Sequence, residues 1–146
     1  MPEYLGGCQC GLIRYRVTGE PSTVFVCHCT ECQRQSSSAF GMAFWIKDAE
    51  LNLFSGTTKE WLRKTKSGAV ISCKFCPDCG TRLFHVGHAG SRVISVKPGT
   101  LDDTSWLRPS GHIWTQNAQA WFTLGVKVLK YSGDPPCYDR LIDEWD

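Results

Sequence analysis

Long apolar runs are missing from this chain. No stretch approaches the ~20 apolar residues that a membrane-spanning helix needs, so a membrane role is not expected. An excess of one charge is missing too. Sixteen Lys and Arg stand against fourteen Asp and Glu, for a net charge of +2, and that balance argues against a nucleic-acid partner. The basic residues Arg14, Arg16, Lys59, Arg63, Lys64 and Lys66 are interleaved with acidic and apolar positions, as on a solvated strand face. Met1-Pro2-Glu3-Tyr4-Leu5-Gly6 has no basic start leading into an apolar run, so a secretory leader is not expected. No repeat, low-complexity tract or linker divides the sequence. The expectation is one domain over residues 1–146, in the cytoplasm, where thiols stay reduced.

Helical periodicity is also scarce; short apolar runs punctuated by glycine dominate, which favours strands. Leu12 to Val17 alternates and ends at Thr18-Gly19-Glu20-Pro21, a turn signal. Val24 to Val26, Met42 to Ile46 and Leu51 to Phe54 are strand-like, with a turn expected near Asp48. Lys59 to Thr65 and Ala69 to Phe75 flank Lys66-Ser67-Gly68, a hairpin signal. Thr81 to Val86 and Arg92 to Val96 flank a loop at Gly87-His88-Ala89-Gly90. One or two helical turns are expected from Thr30 to Ser37, capped by Cys29 or Thr30, with short turns near Asp102 to Trp106 and Tyr138 to Glu144. The fold class expected is mainly β, an open and mainly antiparallel domain.

What the chain does have is cysteine: nine, seven of them in three tight clusters. These are Cys8-Gln9-Cys10, Cys27-His28-Cys29-x-x-Cys32, and Cys76-Pro77-Asp78-Cys79-Gly80. Pairs at this spacing let two sulfurs reach one soft, tetrahedral cation about 2.3 Å away, which points to zinc. The first and last clusters supply two ligands each, enough for one closed structural site in which Cys8, Cys10, Cys76 and Cys79 clamp the N-terminal strand to the middle of the chain. The middle cluster supplies three sulfurs, and three protein ligands with one open position describe a catalytic zinc. A second structural zinc is the alternative, its fourth ligand drawn from Cys73, His28, His85 or His112. His28 lies between two ligands, which turns its ring away from the ion. Cys73 forms a C-x-x-C with Cys76 but reads as an ordinary strand cysteine, and Cys137 has no partner in sequence.

The order C-x-C-G, then C-H-C-x-x-C, then F-C-P-x-C-G-x-x-L resembles the glutathione-dependent formaldehyde-activating enzyme family, whose domain is shared with centromere protein V. The resemblance runs from Gly6 to at least Trp121 and includes His112-Ile113-Trp114 and Trp121-Phe122. It implies an open β fold similar to methionine-R-sulfoxide reductases, with two zinc ions. Cys8, Cys10, Cys76 and Cys79 would be the structural set, and Cys27, Cys29 and Cys32 the set that glutathione engages. Family members often carry a glycine shortly after the third cysteine of the middle cluster, where this chain reads Gln33-Arg34-Gln35-Ser36-Ser37-Ser38.

The reaction so implied joins a thiol to formaldehyde or, in reverse, cleaves the S-hydroxymethyl adduct, a carbon–sulfur lyase step. Only the thiolate is a good nucleophile, and zinc with an open position favours it. Glutathione carries two carboxylates, for which Arg34 is a candidate partner. Two other functions fit the same residues: an enzyme using another thiol, or a non-catalytic zinc-stabilised module that binds a ligand or protein. The second zinc is expected to be bound less completely than the first.

Overall fold

The computed structural model describes residues 1–87 and 92–145. Among them nine strands form an open, mixed β-sheet with two short helices. The strands are β1 Glu3–Gly7, β2 Arg14–Cys27, β3 Gly41–Ser55, β4 Lys59–Lys64, β5 Val70–Phe75, β6 Arg82–Val86, β7 Val93–Val96, β8 Gly111–Ile113 and β9 Leu129–Lys130; the helices are α1 Thr30–Ser36 and α2 Asp139–Asp143. The chain packs as two compact units, Met1–Pro21 with Trp45–Trp106, and Ser22–Phe44 with Leu107–Asp146.

In the first unit β1 pairs antiparallel with the start of β2, and β4 to β7 form an antiparallel meander. The alternation read from the sequence is the burial pattern: Ile13, Tyr15 and Val17 are fully buried, as are Ile46, Leu83, Phe84 and Val96. Tyr15 meets Phe84 edge to face at 4.7 Å. Arg14 points the other way and grips Asp102 through both guanidinium nitrogens. The β4–β5 hairpin turns where expected, with Thr65 N donating to Ala69 O at 2.9 Å.

Two expected turns are instead interruptions inside long strands. β2 does not stop at Thr18-Gly19-Glu20-Pro21 but runs on to Cys27. Gly19 is there for close approach: a Cβ on it would lie 2.6 Å from Ile46 Cγ2 and 2.9 Å from Lys47 O. Asp48 adopts a left-handed φ of 51° within β3; its N–H donates to Arg92 O and its carboxylate pairs with the Arg92 guanidinium. The loop expected at 87–90 lies, beyond Gly87, outside the described residues.

In the second unit the end of β2 pairs with β8, and β8 with β9, both in parallel. These pairings make the sheet mixed rather than purely antiparallel. Val24, Phe44 and Leu141 are fully buried together with two polar residues, Thr23 and His28. The Thr23 hydroxyl donates to Leu141 O at 2.6 Å, which ties α2 to β2. Helix α1 follows β2 after His28 and the cap residue Cys29, whose sulfur accepts from Cys32 N; it ends at Ser37, which is left-handed at φ 55°. A helix this short owes its place to that cap and to its packing rather than to propensity.

Candidate metal centres

The first unit brings Cys8, Cys10, Cys76 and Cys79 together, with the four sulfurs all within 4.8 Å of one another. Two matching loops place them. In the first, Cys8 N donates to Ile13 O, Gly11 N donates back to Cys8 O, and Gly11 sits at φ 84°. In the second, Cys76 N donates to Thr81 O, Gly80 N to Cys76 O, and Gly80 sits at φ 78°. That left-handed residue closes each loop and is cheap only for glycine. Backbone N–H groups then face the sulfurs: Ile13 N is 3.2 Å from Cys8 Sγ, and Cys79 N is 3.5 Å from Cys76 Sγ.

The donor set fits a tetrahedral dication. Bonds of about 2.3 Å set the edge of a sulfur tetrahedron at about 3.8 Å; the Cys8–Cys10 and Cys10–Cys76 separations are 3.6 and 3.8 Å. Electrostatics agrees. Leu12 N–H lowers the Cys10 thiol, but desolvation and its three sulfur neighbours outweigh that and push it up to about 12. Cys79 is held down at about 5, first by the Thr81 hydroxyl and then by the Thr81 and Cys10 backbone N–H groups. Four sulfurs this close cannot all be thiolates without a cation between them.

The second unit brings Cys27, Cys29 and Cys32 together, again within 4.8 Å of one another. Cys27 comes from the end of β2, Cys29 from the cap of α1 and Cys32 from its first turn. Cys29 is pulled down to about 2 by hydrogen bonds from Cys27 and Cys32, while Cys27 is pushed up by its contacts with Cys29 and Cys32 and by burial. Cys32 N and the Gln35 side-chain amide donate to the sulfurs of Cys29 and Cys32 at 3.3 and 3.4 Å. Both clusters could hold metal ions.

Among the described residues no fourth His, Cys, Asp or Glu joins the three sulfurs. His28 is fully buried, with its ring among His112, Phe40 and Phe122. Its Nε2 lies 2.9 Å from His112 Nδ1, and burial disfavours the charged form of both rings, lowering His28 and holding His112 at about 4. Cys73 is fully buried on β5, in register with His85 on β6. Cys137 is exposed and joins neither group.

Beside α1 the second unit carries an open cavity of about 740 Å³ lined by Gln33, Arg34, Phe40, Gln119 and Trp121, among others. Gln33 braces it: its amide nitrogen donates to His28 O and Asn117 O, and its oxygen accepts from Gln119. Trp121 Nε1 in turn donates to Gln119 Oε1 at 2.6 Å. Thr81 and Gln35 are site residues that the sequence reading did not single out. Their spacing was the available signal: Thr81 follows Cys79 by two residues, and Gln35 shares a helix face with Cys32 at i, i+3.

Four sulfurs in two glycine-closed loops, and three sulfurs around a helix cap, define a protein with two cysteine clusters of unequal completeness. The chain belongs to the glutathione-dependent formaldehyde-activating enzyme family, whose match covers residues 3–117. A Schizosaccharomyces pombe protein named as an uncharacterized lyase is 34% identical over 145 residues, 95% of this chain and 86% of that one. A crystal structure of a Rhodobacter sphaeroides protein aligns at 20% identity over 72% of this chain and 91% of that one, with a TM-score of 0.48. Among the described residues no helix is long and apolar enough to cross a membrane.

Proposed function

We propose that this protein is a zinc-dependent carbon–sulfur lyase that forms or cleaves an S-hydroxymethyl adduct between a thiol, glutathione, and a small aldehyde such as formaldehyde. The observation that carries the reading is the three-sulfur cluster with no fourth side chain beside it. Family membership supports the choice of thiol and aldehyde, and the relative named as a lyase supports the reaction class. Cys8, Cys10, Cys76 and Cys79 hold the structural zinc, and Cys27, Cys29 and Cys32 the second. The same reading places the protein in the cytoplasm as one domain over residues 1–146, where its thiols remain available as ligands.

In the synthetic direction the thiol sulfur forms a bond to the aldehyde carbon. The carbonyl π pair moves to oxygen, which takes up the proton that sulfur gave up. Zinc, when bound, supplies positive charge that favours thiolate over thiol. The three cysteines place that charge at the end of β2, and α1 sets their spacing. His28, between Cys27 and Cys29 in the chain, packs against Phe40 and pairs with His112. Arg34, on the wall of the cavity, meets a substrate carboxylate.

Calorimetry tests the reading. Glutathione should bind with release of a proton, seen as a heat that changes with the ionisation enthalpy of the buffer. S-methylglutathione, which has no thiol proton, should bind at least tenfold more weakly. Equal binding of the two, or glutathione binding unchanged in Cys29→Ser, would move the protein to the binding-module class.

A further inference from the structure

One polar side chain at the three-sulfur cluster is arranged at a cost. Gln35 directs its amide nitrogen at Cys32 Sγ, 3.4 Å away. Its carbonyl oxygen is buried and has no hydrogen-bond partner among the described residues. An amide can turn over and exchange its oxygen and nitrogen, and the hydrogen-bond network decides which way it sits. Here turning over would set the carbonyl oxygen against sulfur, lone pair against lone pair. The observed orientation is favoured when the sulfur carries negative charge, as a metal-bound thiolate does. A charge-assisted bond then offsets the orphaned carbonyl.

We infer that Gln35 tunes the three-sulfur metal centre, its amide N–H drawing charge off Cys32 Sγ so that the bound ion keeps more of its own positive charge. The inference rests on the metal reading proposed above. Three thiolates around one dication make a poor Lewis acid, because each donates charge to the ion. N–H groups directed at the sulfurs counter that donation. The backbone supplies one to Cys29, from Cys32 N. For Cys32 the side chain of Gln35 supplies one, from the same helix face at i, i+3. The four-sulfur cluster has backbone N–H donors and the Thr81 hydroxyl in this role. Gln35 is a positioning residue: it acts through Cys32 and need not touch substrate.

Cobalt(II) replaces zinc in the test, because its sulfur-to-metal charge-transfer band reports how electron-rich the sulfurs are. A variant with Cys27, Cys29 and Cys32 all changed to serine supplies the four-sulfur spectrum for subtraction. Gln35→Met keeps the length and loses the donor, and Gln35→Glu keeps the shape and loses the N–H. Both should shift the three-sulfur band to lower energy and release cobalt to a chelator about ten- to a hundredfold faster. The four-sulfur band should stay in place, which also reports that the variants are folded. Gln35→Asn keeps the amide but is one methylene too short, so it should behave like Gln35→Met and serves if that variant does not fold. An unchanged three-sulfur band and release rate in these variants overturn the inference alone. Absence of any three-sulfur band in the unmodified protein overturns the metal reading, and the inference with it.

Discussion

A hydroxyl and an imidazole show how single side chains set the chemistry of this protein. Thr81 Oγ1 accepts from Gln9 N at 3.1 Å and lies 3.2 Å from Cys79 Sγ. With an incoming N–H already occupying the oxygen, the hydroxyl proton is directed to sulfur, and the Cys79 thiolate is favoured. Thr81→Val should release metal from the four-sulfur site about tenfold faster or more, and Thr81→Ser should not; stopped-flow chelation separates them. His85 on β6 is held at about 3 by burial and then by Lys97, Arg82 and Arg63. Its folded-state value lies below its unfolded one, so its contribution is present above about pH 6.5 and is lost as pH falls toward 3. Urea unfolding across that range should show a shallower loss of stability on acidification in His85→Gln than in the unmodified protein.

At the scale of elements, the long strands β2 and β3 depend on close approach. Gly19→Ala would put a methyl 2.6 Å from Ile46 Cγ2 and 2.9 Å from a backbone oxygen that has no rotamer to yield with. Overpacking of this kind costs about 1–3 kcal/mol, readable as a lower urea midpoint at unchanged slope. Helix α1 depends on Cys29, whose sulfur both caps it and belongs to the three-sulfur cluster. Cys29→Ser keeps a capping oxygen while losing the soft ligand. It should abolish metal binding at this cluster with a stability loss of under about 1 kcal/mol, measured by thermal unfolding alongside metal content.

At the scale of the whole molecule, the two clusters should respond differently to metal removal. The four-sulfur set ties the loop after β1 to the loop after β5, far apart in sequence, so the binding free energy of a metal held there would be folding free energy. Cys79→Ser should lose metal and folded protein together, where Cys29→Ser loses metal alone. A strong chelator should lower the thermal midpoint of the unmodified protein and leave little folded Cys79→Ser to melt. Folded Cys79→Ser with an unchanged midpoint would contradict this.

The sequence by itself determined which cysteines come together and most of the strands. Both cysteine groups were legible because C-x-C and C-x-x-C with flanking glycine are local devices: the spacing sets which sulfurs face the same way, and the glycine closes the loop. The alternation of Ile13, Tyr15 and Val17 and the turn at Lys66-Ser67-Gly68 are local in the same sense. Tertiary structure decided what depends on distant partners. Gly19 and Asp48 read as turns, yet β2 and β3 run through them: Gly19 allows a close neighbour, and Arg92 pairs with the left-handed Asp48. Strands β8 and β9 are three and two residues long and pair in parallel, so nothing in their own residues announces them. The same holds at the clusters. That His28 packs on His112, that Cys73 stays apart, and that Gln35 and Thr81 reach sulfur are set by side chains meeting in space, where burial and hydrogen-bond geometry rather than residue type assign the role.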